Sequence, residues 1–167
     1  SLNSERITPY QTMQVWEKDS MGKIDFDAQQ VEQKELGYIV ENKNIQQALF
    51  NALQGQKNAS FFCPDSLQSM AIGEGEAWLT LNSGKQLTSK LVVAADGANS
   101  WVRQQVNIPL TQWDYHHHAI VATVKTTEPH QACARQIFTP QGPLAFLPLY
   151  DKNLSSIVWS LPPTQAK

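Results

Sequence analysis

Apolar and polar positions alternate with period two over most of the chain, and only one stretch follows the helical period. Met13 and Val15, then Ile24 and Phe26, alternate with polar neighbours around Asp19-Ser20-Met21-Gly22, which predicts two strands and a turn between Met13 and Asp27. Gln29 to Glu35 is polar and reads as a loop, and Leu36 to Val40 as a short strand. Ile45, Ala48, Leu49, Ala52 and Leu53 then form one apolar stripe at helical spacing. Asn42 is the expected N-cap of this helix, with Gly55 closing it in a left-handed conformation. Ala59 to Cys63 reads as a strand stopped by Pro64.

From Leu67 the period returns to two. Leu67 to Ile72, Ala77 to Leu81 and Lys85 to Thr88 predict an antiparallel meander, with Asn82-Ser83-Gly84 as its tight turn. Leu91-Val92-Val93-Ala94-Ala95 has no polar face and predicts a strand covered on both sides, as in a parallel sheet between helix layers. It ends at Asp96-Gly97, after which Ser100 to Val106 has helical character. His118 to Lys125, Ala134 to Thr139, Pro143 to Leu149 and Ser155 to Leu161 are spaced as an antiparallel sheet. One helix, one doubly covered strand and two meanders do not close into a layered domain, so the architecture reads as incomplete.

Composition narrows the class. With 167 residues, 41% hydrophobic and 17% charged, the chain suits an ordinary globular domain. Thirteen basic against fifteen acidic residues give a formal charge of -2, without the basic footprint of a nucleic-acid binder. No apolar run approaches the roughly 20 residues that span a bilayer, and no secretory leader pattern opens the chain. Cys63 and Cys133 match no metal or redox spacing and read as two buried reduced thiols of a cytoplasmic protein. In His116-His117-His118, alternate histidines would share a strand face, but no carboxylate or cysteine stands at ligand spacing, so no metal site is expected. No Gly-x-Ser-x-Gly motif suggests a nucleophile, and no catalytic residue is assigned.

Candidate chemistry concentrates at Asp96-Gly97-Ala98-Asn99-Ser100-Trp101-Val102-Arg103. A strand delivering Asp and Gly at its carboxyl end stands where α/β sheets bind ligands. Gly97 permits a sharp turn or close ligand approach. Asp96 offers acceptors for ribose hydroxyls, the following helix offers free amides, and Arg103 a planar donor fork. The pattern alone equally admits a strand–turn–helix with a solvated Arg, or a β-rich binding domain in which the Asp-Gly turn is incidental.

With Asp96, Gly97, Ser100 and Arg103 in register behind an apolar strand, this stretch resembles the second fingerprint of the FAD-dependent aromatic hydroxylases of the para-hydroxybenzoate hydroxylase type. Met13 to Glu17, Leu36 to Asn42, Ile108 to Tyr115 and Ala145 to Leu149 resemble the ubiquinone-biosynthesis hydroxylases, the bacterial 2-octaprenylphenol hydroxylases above all. The resemblance runs from about Tyr10 to Pro162. It implies an α/β (α+β) fold: an antiparallel substrate-domain sheet from residues 1–35 and 107–167, and a Rossmann-like FAD-domain remnant over 36–106 with an inserted meander. It further implies FAD contacts from Asp96, Gly97, Ser100 and Arg103, and from Asn42, where para-hydroxybenzoate hydroxylase has Gln. Phe146, Leu147 and Pro148 would lie beside the substrate, the proline marking a strand edge or an interrupted ladder. Phe138 and Trp159, on neighbouring strands, either share that cavity or fill the sheet. The family's Gly-x-Gly-x-x-Gly cradle and later Gly-Asp segment have no counterpart in these residues, so the chain resembles the middle of a larger enzyme and is expected to be inactive alone. The resemblance implies FAD, NAD(P)H and O2, a polyprenylphenol substrate, and cytoplasmic placement with peripheral inner-membrane or ubiquinone-synthesis-complex association. Exposed sheet edges suggest a homodimer.

Overall fold

The computed structural model describes residues 6–166, as two compact units. The first takes the chain up to Lys57 together with everything from Asp114 onward, and the second takes Asn58–Trp113.

In the first unit, β2 (Thr12–Glu17) and β3 (Lys23–Asp27) form the expected hairpin. Four strands from the last third join them: β8 (His118–Lys125), β9 (Cys133–Thr139), β10 (Gly142–Pro148) and β11 (Leu154–Leu161). The six-stranded order is β3-β2-β9-β10-β11-β8. All neighbours run antiparallel except β2 and β9, which are parallel from Thr12↔Cys133 to Glu17↔Phe138. The sheet is therefore mixed, where the strand spacing predicted it wholly antiparallel. The parallel pair is clamped by backbone bonds at both ends, Gln11 N–H to Ala132 O at 2.8 Å and Lys18 N–H to Phe138 O at 2.8 Å.

A separate ladder pairs β1 (Ile7–Tyr10) with β4 (Gly37–Val40). Between β3 and β4 the expected loop contains a 3-10 turn, Ala28–Val31, capped by the Asp27 side chain on Gln29 N–H at 2.9 Å. The helix α1 spans Asn42–Gln54, as its apolar stripe predicts. Its caps differ from expectation. Glu41 occupies the N-cap without a side-chain bond, Asn42 is already helical, and Gly55 is right-handed at φ -77°. Ile45, Leu49, Phe50 and Leu53 all stay exposed, and no residue of α1 is buried.

The second unit holds the meander, β5 (Leu67–Ile72), β6 (Ala77–Leu81) and β7 (Gln86–Ser89), with Gly84 at φ +84° in the turn as its sequence requires. Ala77 and Leu81 are its buried apolar residues. Ala59 to Cys63 is not a strand: the segment is irregular and leads into a cis Cys63-Pro64 bond. Leu91–Ala95 also departs from expectation. It has no ladder partner among the described residues, and Leu91 and Val93 are 75% and 77% exposed. An apolar run becomes a doubly covered strand only where flanking strands and helices exist to cover it. The second helix, α2, is short, Trp101–Gln105.

Cys133 is buried but Cys63 is exposed, so only one thiol matches the expectation. Among the described residues no helix is long and apolar enough to cross a membrane.

Candidate functional site

The Asp96–Arg103 segment is built from bonds among its own residues. One oxygen of the Asp96 carboxylate accepts from Ser100 Oγ at 2.5 Å, the other from the Val102 N–H at 3.2 Å. Ser100, 5% exposed, is the N-cap of α2 and accepts from the Arg103 N–H at 3.0 Å. Arg103 Nη2 reaches back to Ala98 O at 2.9 Å, and Ser100 N–H closes on Gly97 O at 3.1 Å. These bonds, the Ser100 hydroxyl first, hold the Asp96 carboxyl below the usual carboxylate range. Sequence reasoning placed these four residues together correctly, since they are local. The Asp96 and Arg103 side chains, assigned from sequence to a ligand, are hydrogen-bonded within the loop.

What the loop leaves open is backbone. Gly97 sits at φ +85°, and a Cβ there would meet nothing within 4 Å. The N–H groups of Gly97, Ala98 and Asn99 make no hydrogen bond among the described residues. Successive free amides beside a glycine suit an anionic or polyhydroxylated ligand. A cavity of about 650 Å³ lies alongside, lined by Leu67, Val93, Asp96, Asn99 and Trp101 among others. A second, of about 550 Å³, borders Met70, Ala94, Gly97 and Arg103. Both volumes are in the range of small-molecule pockets. Free amides beside Gly97 are donors that a cofactor's phosphate or ribose could meet, while a glycine-rich pyrophosphate cradle is not among the described residues.

Asn42 belongs to the first unit, at the first turn of α1. The neighbouring Glu41 is ion-paired with Arg6, whose guanidinium also lies 4.8 Å from the Tyr150 ring centroid. This contact ties β1, the head of α1 and the β10–β11 connection together.

Phe146, Leu147 and Pro148 lie on β10, in the interior of the sheet rather than at an edge. Pro148 is fully buried at the strand's end, beyond the last β9 partner pair at Phe146↔Arg135, so its missing N–H interrupts no rung on that side. Alternation sends Phe146 and Pro148 to one face and Leu147 to the other. The Phe146 face carries a cavity of about 390 Å³ with Trp16, His130, Arg135 and Ser155. There His130 Nδ1 accepts from the Ala132 N–H at 3.0 Å, which makes the ring nitrogen 2.9 Å from Leu149 O the donor. Trp159 shares the Phe146 face and Phe138 the Leu147 face, so these two aromatics do not share a cavity. Of the three adjacent histidines only His118 is in a strand, and His116 has φ +54°. Among the described residues no group of three potential metal ligands assembles.

Against known proteins, the family described as FAD binding domain matches residues 11–167. This chain belongs to that FAD-binding family. It is 36% identical over 159 residues to 3-demethoxyubiquinol 3-hydroxylase of Escherichia coli, covering 95% of this chain and 40% of that protein. It is also 36% identical over 170 residues to the mitochondrial ubiquinone biosynthesis monooxygenase COQ6 of Homo sapiens, covering 93% and 35%. The chain thus spans about two-fifths or less of the length of these relatives. Its fold is that of PqsL, described as a probable FAD-dependent monooxygenase from Pseudomonas aeruginosa, with a TM-score of 0.82, 18% identity, and coverage of 96% of this chain and 45% of PqsL. HpxO of Klebsiella pneumoniae, solved with FAD and uric acid, gives a TM-score of 0.71 at 13% identity, over 97% and 43% of the two chains. The α/β fold implied by the fingerprint is therefore shown.

Proposed function

We propose that this chain is the central part of a flavin-dependent monooxygenase that hydroxylates a polyprenylphenol ring in ubiquinone biosynthesis, using NAD(P)H and O2. The observation that carries the reading is the open backbone of Gly97–Asn99, held by the Asp96–Ser100–Arg103 bonds, in a chain of the FAD-binding family. Bound FAD would supply the redox chemistry, accepting electrons from NAD(P)H and reacting with O2. The chain's own part is to hold one wall of the cofactor site and to orient the ring away from water. On this reading Gly97, Ala98 and Asn99 present amides to the cofactor, and Asp96, Ser100 and Arg103 fix their geometry; Asn42 is a separate candidate for an FAD contact, on the resemblance alone.

Residues 1–35 and 107–167 then serve the substrate side and 36–106 the flavin side; residues 1–5 and 167 of these segments lie outside the described ones. Leu147, with Phe146 and Pro148 on the same strand, belongs to the substrate side. A prenylated phenol partitions into lipid, which supports peripheral attachment of a cytoplasmic enzyme to the inner membrane, alone or in a ubiquinone-synthesis complex. β3 and β8, the edge strands of this sheet among the described residues, support a homodimer.

The test compares two proteins through gel filtration: the 167-residue chain, and the longer enzyme that carries it. The longer enzyme is expected to retain FAD and convert a prenylphenol in an NAD(P)H-dependent reaction, and the 167-residue chain to elute colourless. A colourless longer enzyme, or a yellow short chain, defeats the proposal.

A further inference from the structure

Cross-strand register sets Gln14, Arg135, Phe146 and Ile157 side by side on one face of the six-stranded sheet. Ser155, opposite Pro148, and Trp16, two residues beyond Gln14, share that face, while Leu147 lies on the other. Trp16, Arg135, Phe146 and Ser155 border the cavity of about 390 Å³, joined by Glu128 and His130 from the β8–β9 connection. All six residues belong to the first unit.

Two polar groups of this cavity are left without a full set of partners. Ser155 is only 3% exposed, yet its hydroxyl makes no hydrogen bond among the described residues. A hydroxyl taken from water costs free energy until a partner reaches it. Arg135 is half-buried and makes one side-chain bond, from Nη1 to His130 O at 3.1 Å. It joins neither of the ion pairs among the described residues, Arg6–Glu41 and Lys23–Asp25. Its anchor is firmly held. The His130 N–H bonds Lys152 O at 2.8 Å, and the ring bonds Leu149 O at 2.9 Å and the Ala132 N–H at 3.0 Å. The guanidinium is thus pinned at one nitrogen, with its other donors free for a ligand.

A planar donor fork beside a hydroxyl donor matches a carboxylate, which accepts from both. Trp16 and Phe146 add aromatic surface for a flat ring. Glu128 lines the same cavity from the exposed connection and makes no ion pair among the described residues, so a second negative charge on the ligand is disfavoured. We propose that this cavity is a binding site for an aromatic monocarboxylate, its ring against Trp16 and Phe146 and its carboxylate on Arg135 and Ser155. The site goes beyond the flavin chemistry proposed above and does not depend on it.

The experiment measures binding by calorimetry to the longer enzyme that carries this chain, with three probes: naphthoate, the neutral naphthamide, and the dianion naphthalene dicarboxylate. The wild type is expected to bind naphthoate about tenfold or more tighter than the amide, and tighter than the dianion. Arg135→Gln should lose that factor for naphthoate and bind the amide within about twofold of wild type. Ser155→Ala, which deletes one hydroxyl, should weaken naphthoate by about threefold or more, and it reads the same site if the arginine variant fails to fold. A naphthoate preference equal in the wild type and the folded variants lies elsewhere in the enzyme and overturns the assignment. A wild type that binds no probe, or does not prefer naphthoate to the amide, overturns it as well. A dianion bound as tightly as naphthoate overturns the restriction to one negative charge.

Discussion

Adding one methyl group at Gly142 would place a Cβ 2.2 Å from the carbonyl oxygen of Ser160 and 3.1 Å from its carbonyl carbon. Those atoms are the backbone of β11, the neighbouring strand, so no rotamer change relieves the clash. Gly142 also has φ +139°, which L-residues rarely adopt. Holding an alanine in such a conformation costs about 1–3 kcal/mol, and forcing extra volume into packed backbone adds about 1–3 kcal/mol. The combined loss, roughly 2–6 kcal/mol, is a large share of ordinary domain stability of about 5–15 kcal/mol. Urea unfolding of Gly142→Ala, followed by tryptophan fluorescence, should show a midpoint lower by about 1–3 M. Gly75→Ala is the control, since its Cβ would meet nothing within 4 Å, and it should stay within about 0.5 kcal/mol of wild type. A Gly142→Ala midpoint equal to that of the control would refute the reasoning. The consequence reaches along β10, because Gly142 opens the strand that carries Phe146, Leu147 and Pro148.

Two further outcomes are expected. The Asp96 carboxyl is held below its ordinary value, so its contribution to stability is complete above the ordinary carboxylate pKa of about 4 and is lost as pH falls through the folded value. Urea midpoints measured between pH 2 and 5 should therefore fall more steeply with acid for wild type than for Asp96→Asn, and parallel curves would contradict the Ser100 and Val102 bonds. A thiol reagent should label one cysteine of the native chain rapidly, Cys63, and reach buried Cys133 only on unfolding; two fast thiols would contradict the packing of β9.

Local chemistry was legible from the sequence and long-range pairing was not. Period-two patterning located β2 through β11 to within a residue or two because each strand carries its own alternation. The Asp96–Arg103 loop was equally readable, since its bonds span six residues or fewer. By contrast, nothing in Thr12–Glu17 announces a parallel partner in Cys133–Phe138, and no pattern marks β1 as the partner of β4. Leu91–Ala95 shows the limit from the other side, for composition states what would bury a strand but not whether those neighbours are present. Which side chains share a face is set by the cross-strand register alone, which sends Gln136 and its sequence neighbours Arg135 and Ile137 to opposite faces of the sheet. Phe146 and Leu147 separate for the same reason.

The parallel seam between β2 and β9 also dictates an order of assembly. During synthesis the β2–β3 hairpin leaves the ribosome with one edge waiting for a partner that is made only after the whole of Asn58–Trp113 has emerged. The intervening unit can complete its meander from neighbouring residues while the six-stranded sheet is still half built. Until β9 arrives, Met13 and Val15 sit on an unfinished edge, and that interval is when the nascent chain most needs shielding from other chains.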